Sequence, residues 1–438
     1  MSRSPTVTAP SPHFTPRGFS SLELGSEERL QRNSEKLQAI SRDFRTDTLT
    51  VPTEEMVEAM RYASKGDAVY GEDQDTLDLQ DMVAKMAGKE AALFCVSGTM
   101  TNQLAIRAHL SAPPCSVVTD SRAHVHRSEA GGIAFHSGAT TYTVQAANGH
   151  HMTTEEVLQE VCVGDDVHGA PTGLVCVENT LSGMVFPQAE LLSLSETLSS
   201  LSTPIPLHCD GARLWEVCAK TGMSLEEACR PFASVSLCLS KGVGAPVGSV
   251  LVGSKALIKK ATHLRKLLGG GLRQTGSLAL AASHCLTHVL PQLSQTHSLA
   301  TILASALVAD DIGCGLELPT ETNMVWVDTT PAGFSLEEWG KRVWEEERIR
   351  LYDGWGRVVV HYQIDPAAVD ALVEVTRKLA KEKKGEREQW EAEREDGEEE
   401  VQELRVRWRR FAMGKWEGER LGKSTKGAYG KNKVKKQV

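Results

Sequence analysis

None of the ten cysteines in this 438-residue chain stands in a Cys-x-x-Cys pair. They fall singly in apolar, strand-like runs, Cys95, Cys176, Cys209 and Cys238 among them. That spacing excludes a zinc site or a disulfide frame and predicts reduced, buried thiols in an intracellular protein. No apolar run reaches the roughly 18 residues needed to cross a bilayer, so a soluble protein without a membrane partner is expected. No internal repeat is present. The first twenty residues hold no acid, only Arg3 and Arg17 among many Ser, Thr and Pro. That composition fits mitochondrial import or disorder; disorder in a cytoplasmic protein is the preferred reading. The run Gly242-Val-Gly244 has no Gly-Lys-Ser/Thr ending, and its lysine precedes the glycines, which excludes a P-loop.

What is present is a chain 41% hydrophobic, long enough for two structured domains, with net charge −9 and pI near 5.9. The whole molecule is therefore no general polyanion binder. Charge is uneven: Glu391 to Glu400 is mostly acidic and Arg405 to Lys436 strongly basic. The basic stretch lacks the interleaved aromatics and repeated motifs of an RNA module. Binding of nucleic acid or protein through it is the alternative of another class, to be tested by deleting residues 381–438.

Residues 1–40 lack sustained periodicity and read as a disordered extension. Val51-Pro-Thr-Glu-Glu-Met-Val-Glu-Ala-Met60 opens a helix, and Thr76 to Ala87 forms a second, closed by Gly88. Short apolar runs then alternate with helical stretches: Ala91–Val96, Ser116–Thr119, Leu174–Val177, Ile205–His208, Val235–Leu239 and Ser249–Val252. Runs apolar on both sides and separated by helices predict a mainly parallel sheet covered on both faces, an α/β domain over 41–290. Ligands of such sheets bind beyond the strand ends. Strands at Met324–Asp328 and Arg357–Tyr362 among helices predict a smaller α+β domain over 291–380. Residues 381–438 read as a charged tail, partly helical or disordered.

Lys241 follows one buried strand, and Asp210, in His208-Cys-Asp-Gly-Ala-Arg213, follows the strand before it. An amine and a carboxylate so placed suit pyridoxal 5'-phosphate (PLP): the amine forms a Schiff base, and the carboxylate keeps the pyridine nitrogen protonated. Ser97-Gly-Thr-Met-Thr-Asn-Gln103 follows a strand and opens a helix, a natural phosphate cradle or, alone, an ordinary cap. His124 could stack on the pyridine ring or be a helix-start histidine. His168, on its bare reading, is a loop histidine. Arg213 is either a carboxylate clamp or the partner of Asp210, and Arg357 a second clamp from the small domain. Lys266, Gly269 to Arg273 and Gln274 form a basic loop suited to a phosphate of an adjacent subunit, or a solvated one.

Together these segments resemble the L-threonine aldolases of the β-eliminating lyase group, PLP enzymes of the aspartate aminotransferase fold type. The likeness runs from Asp43-Phe-Arg-Thr-Asp-Thr-Leu-Thr50 to about Asp365 through Asp67-Ala-Val-Tyr-Gly-Glu-Asp73, Ser97-Gly-Thr, Glu129-Ala-Gly-Gly132, Glu178-Asn-Thr180, Asp210-Gly-Ala-Arg213 and Leu239-Ser-Lys-Gly242. The resemblance implies a seven-stranded sheet and cleavage of a small β-hydroxy amino acid, L-threonine or L-allo-threonine, to glycine and acetaldehyde. By it Lys241 carries PLP, Asp210 meets the ring nitrogen, His124 stacks on the ring, and Ser97, Gly98 and Thr99 hold the phosphate. Arg213, Arg357 and Thr46 hold the substrate carboxylate, and His168 lies near the substrate hydroxyl. Arg273 and Tyr70 come from a neighbouring subunit, which implies a homodimer or homotetramer. Thr46 stands where many members carry Ser, which keeps the hydroxyl. β-Elimination and transamination on the same scaffold are the rival reactions.

Overall fold

The computed structural model describes residues 27–164, 167–352 and 354–384. Seven strands build one sheet: β1 (Ala91–Cys95), β2 (Ser116–Asp120), β3 (Thr140–Val144), β4 (Thr172–Glu178), β5 (Leu207–Gly211), β6 (Ser234–Cys238) and β7 (Ser249–Gly253). Their order is β1-β7-β6-β5-β4-β2-β3, and all neighbours are parallel except β7, which opposes both β1 and β6. The sheet is the mainly parallel α/β layer expected. Strands β2, β5, β6 and β7 are buried at every position, which is why they read as short apolar runs without alternation. Strand β3 was not expected. It is a threonine-rich edge strand, exposed or half-buried along most of its length, so it carries no apolar run.

The two early helices form at Glu54–Tyr62 and Gln74–Met86, capped by the side chains of Thr53 and Asp73. The second starts before Thr76 because the Asp73 carboxylate accepts from the Thr76 N–H, 3.1 Å away, and so fixes the first turn further upstream. The helix Gly98–His109, the Gly98 helix below, crosses the sheet and is buried along most of one side.

The smaller domain holds the antiparallel strands β8 (Gly315–Leu318), β9 (Met324–Asp328) and β10 (Arg357–Val359), with β9 central. Strand β10 is shorter than the expected Arg357–Tyr362. After Val359 the chain leaves β9: Val360 donates to the Asn323 carbonyl at 2.9 Å, and His361 turns onto the Asp43 carbonyl at 3.1 Å. The core of this domain packs Val325, Trp339, Val358 and Leu372 around Phe44, a residue placed by sequence in the large domain. Phe44 donates to Arg350 O at 2.9 Å and accepts from Val359 N at 2.8 Å. Its buried ring, worth roughly 3–5 kcal/mol on truncation, anchors the next residues, Thr46 and Asp47, at the seam between the domains.

Residues Glu27–Ile40 are helical where an unstructured extension was expected. Glu, Gln, Lys, Leu and Ala favour the helix, and only Ile40 is buried, so no apolar stripe announces it. Residues 1–26 and the charged tail beyond Lys384 lie outside the described residues.

Candidate active site

Three neighbouring parallel strands end in charged groups. Glu178 closes β4 and stands in register with Asp210 near the end of β5. Lys241 follows three residues after β6, in a turn closed by Gly244 N–H to Lys241 O at 2.7 Å. The Lys241 amine lies 3.5 Å from the Cys238 sulfur. Burial works against its charge, but Cys238, Asp210 and Asp47 outweigh burial and the repulsion of Arg213, so its pKa is raised. Burial, followed by the charge of Asp210, lifts the Glu178 carboxyl to about 7.

Asp210 is 2% exposed and is held by two donors: Asn102 Nδ2 at 2.9 Å and Ala212 N at 3.1 Å. The same Asn102 nitrogen donates to Glu129 Oε1 at 2.8 Å, and Gln103 Nε2 donates to Glu129 Oε2 at 2.6 Å. His124 Nδ1 lies 2.9 Å from Glu129 Oε1, and the His124 backbone N–H donates to Glu178 Oε2 at 2.6 Å. The bond to Glu129 is the main cause of the raised His124 pKa. His124, Glu129 and Asp210 offer atoms within 4.8 Å of one another, a spacing a cation could use. The Asn102 amide, however, turns donor hydrogens toward both carboxylates, which opposes a cation bound between them.

Ser97 caps the Gly98 helix, its Oγ accepting from Met100 N at 3.2 Å. The N–H groups of Gly98 and Thr99 have no partner within the helix and face outward with the positive dipole end. A Cβ on residue 98 would lie 2.5 Å from Cys238 Sγ, so only glycine lets this turn sit against the lysine-bearing segment.

At the seam, Arg213 forks onto Asp47, with Nε to Oδ2 at 2.8 Å and Nη2 to Oδ1 at 2.7 Å. Burial would raise the Asp47 carboxyl, but the charge and hydrogen bonds of Arg213 bring it to about 2. Arg213, expected as a substrate clamp or a partner of Asp210, thus has an internal carboxylate, and Nη1 lies outside that fork. Arg357 has no ion pair among the described residues. Its Nη2 is 3.4 Å from Arg45 O, its Nε is buried without a partner, and its guanidinium lies 5.4 and 5.8 Å from the rings of Tyr352 and Trp355. Burial and the charge of Arg213 lower its pKa. Thr46 Oγ1, beside Asp47, accepts from Thr48 N at 3.3 Å.

Sequence reasoning did not single out Asn102, Gln103 or Asp47, and it used Glu129 and Glu178 only as landmarks. Glu178 had a readable signal: a lone acid ending a buried strand, as Asp210 does on the next. Other expected residues lie apart. His168 is exposed on the loop before β4, and Glu178 closes the far end of that strand. Six strand steps of about 3.3 Å separate the two ends, so the chain does not bring its own His168 to this site. Arg273 pairs with Asp67 at 3.0 Å, and Tyr70 is 76% exposed on the adjoining loop, both facing outward. Lys241, Asp210, His124, Ser97, Gly98 and Thr99 provide what PLP requires: an amine, a buried acid with fixed donors, a ring with its Nδ1 tied down, and a helix N-terminus.

Residues 43–331 match the beta-eliminating lyase family. The chain is 45% identical over 336 residues to the probable low-specificity L-threonine aldolase of Schizosaccharomyces pombe, covering 77% of this chain and 86% of that one. It is 46% identical over 324 residues to the low specificity L-threonine aldolase of Saccharomyces cerevisiae, covering 74% and 82%. In fold it is similar to the threonine aldolase of Leishmania major, with TM-score 0.65 and 19% identity over 77% of this chain and 99% of that one.

Proposed function

The chain belongs to the beta-eliminating lyase family and is a lyase, and we propose that it uses PLP to cleave L-threonine and L-allo-threonine into glycine and acetaldehyde. The observation that carries this reading is the Lys241 amine and the Asp210 carboxylate at the ends of adjacent strands β6 and β5. Lys241 would hold the cofactor covalently, Asp210 its ring nitrogen, His124 its ring, and Ser97, Gly98 and Thr99 its phosphate. When bound, PLP supplies an electron-poor ring that accepts the pair released as a bond at the substrate α-carbon breaks.

The chain's own groups supply the rest. Arg357, with Nη1 of Arg213 and the hydroxyl of Thr46, binds the substrate carboxylate and so fixes which α-carbon bond is aligned to break. His124, with Nδ1 engaged by Glu129, has Nε2 left to take the β-hydroxyl proton directly or through a water. His168 stays a candidate for this step only if a neighbouring subunit brings it. Loss of that proton, as the bond between the α- and β-carbons breaks, turns the β-carbon into the aldehyde, and a proton carried by the Lys241 ammonium would go to the α-carbon to give glycine.

Tyr70 and Arg273 act across a dimer interface in this reading. The Asp67–Arg273 ion pair joins their two loops, and Tyr70 beside it is 76% exposed, a group a second copy would cover. All ten cysteines are free, which suits the reducing cytoplasm. The test is a visible spectrum and a product assay on the purified chain. A cofactor band that borohydride fixes onto Lys241, with acetaldehyde and glycine formed from L-threonine, is expected. Pyruvate and ammonia from serine, or a keto acid, in place of acetaldehyde would assign one of the rival reactions.

A further inference from the structure

Behind Asp210 the sheet is not apolar. On β5 the period of two sets His208 and Asp210 on one face, and on the Gly98 helix the spacing of seven sets Asn102 and His109 on one face. These faces meet, and Ser234, the register partner of His208 on β6, completes the set. His109 Nε2 lies 2.8 Å from Ser234 Oγ, Ser234 Oγ 2.8 Å from His208 Nδ1, and His208 Nε2 3.2 Å from Asn102 Oδ1. Asn102 Nδ2 then donates to Asp210 at 2.9 Å and to Glu129 at 2.8 Å.

The direction of every hydrogen in this chain follows from its two ends. An amide carbonyl only accepts, so His208 carries its proton on Nε2 and presents a bare Nδ1. That nitrogen must accept, so Ser234 donates to it and accepts in turn from His109. Both histidines stay neutral, because burial pushes His208 down to about 3 and burial with the charge of Lys260 pushes His109 down to about 4. His208, Ser234 and Asn102 are each at most 1% exposed, so water does not compete for these bonds. All donors therefore run one way, toward two carboxylates.

We propose that Asn102 and His208 are positioning residues: His208 locks the Asn102 amide so that it donates to Asp210 and Glu129 together, which holds the Asp210 carboxylate fixed toward the cofactor's ring nitrogen. Without that donor the carboxylate loses its fixed orientation, its hydrogen bond to the ring nitrogen would weaken, and the nitrogen would hold its proton less firmly. The second bond ties Glu129, and through it His124, to the same amide, so one side chain joins the acid and the histidine of the site. This rests on the PLP reading above.

The test uses the full chain. PLP labelled with 15N in the ring is bound to the parent and to Asn102→Ala, His208→Phe and His208→Gln, and the ring-nitrogen chemical shift is read by NMR. A protonated shift is expected in the parent, displaced toward the unprotonated value in Asn102→Ala and His208→Phe. His208→Gln, whose amide can still donate to Asn102, should restore it. The kcat should fall about tenfold or more in the first two variants, with KM within about threefold, the scale on which residues that orient a direct contact act. On the cofactor-free parent, 15N NMR of labelled histidine should find His208 neutral and protonated on Nε2. A ring-nitrogen shift unmoved in a folded, cofactor-holding Asn102→Ala, or His208 protonated on Nδ1, overturns the proposal. If Asn102→Ala does not fold, the histidine tautomer and the His208 pair decide. A parent that takes up no PLP would instead sink the functional reading, which the tautomer measurement does not depend on.

Discussion

At the ends of β4, β5 and β6 each carboxylate of the site has a fixed donor, whereas at the seam between the domains one guanidinium is matched and the other is not. Asp210 accepts from Asn102 and Ala212, Glu129 from Asn102, Gln103 and His124, and Glu178 from the His124 N–H. Arg213 is forked onto Asp47, but Arg357 keeps a buried nitrogen without a partner. These strand-end groups, the floor of the site, are hydrogen-bonded within the chain, as the proposed hold on a cofactor in one orientation requires. At the seam the half-buried Arg357 has no carboxylate partner among the described residues, which leaves it for the substrate carboxylate in the proposed function.

The contrast can be broken most severely at the floor. Lys241→Ala should lower acetaldehyde release from L-threonine by about a thousandfold or more, since it removes the amine proposed to hold the cofactor. Parental turnover in that variant would end the argument.

The seam is tested next by treating its two arginines alike. Arg213→Ala strands Asp47 as a buried, unpaired charge and should cost about 3–5 kcal/mol of stability, read by chemical denaturation. Arg357→Ala removes no ion pair, so its stability should change far less, while KM for L-threonine rises roughly tenfold to a hundredfold. If the two variants lose equal stability, the distinction between matched and unmatched arginine is gone.

A smaller effect separates Glu178 from the other carboxylates of the floor. Its carboxyl sits near 7 instead of the ordinary 4.5, so the native state keeps a proton there that the unfolded chain gives up. The stability from this group is full below pH 4.5 and is lost as pH rises through 7. Melting temperatures of the cofactor-free protein at pH 5 and pH 8 should therefore drop further in the parent than in Glu178→Gln. Asp47 has the opposite sign: its contribution is present above its ordinary 3.8 and disappears as pH falls through about 2. Smallest of all, Thr46→Ser keeps the Oγ that caps the turn and should leave kcat/KM within about twofold, a cap hydroxyl being retained.

Much of the floor was legible because its signals are local. Lys241 and Ser97 each follow a short buried strand by two or three residues and Asp210 stands next to the end of another, and a strand end or a helix start announces itself within one turn of chain. The seam was not legible in that way. Arg213 and Asp47 lie 166 residues apart, and Phe44 joins a core made mostly of residues after Leu299. His168, read from the residues alone as a loop histidine and given a place near the substrate hydroxyl only by the resemblance, lies on the loop before β4. Strand β3 and the exposed helix Glu27–Ile40 were missed because neither carries an apolar pattern.

The sequence by itself determined the alternation of buried strands and helices, the lysine and acid at consecutive strand ends, and the glycine-opened helix beside them, since hydrophobic period and turn chemistry act over a few residues. Only the tertiary structure decided who partners whom. Asn102 reaches Asp210 because a helix face and a strand face are pressed together, and Arg213 is occupied while Arg357 is not because the N-terminal segment is pinned by Phe44 in the other domain. Such pairings depend on through-space distances of about 3 Å between chain-distant groups, and no local pattern encodes them.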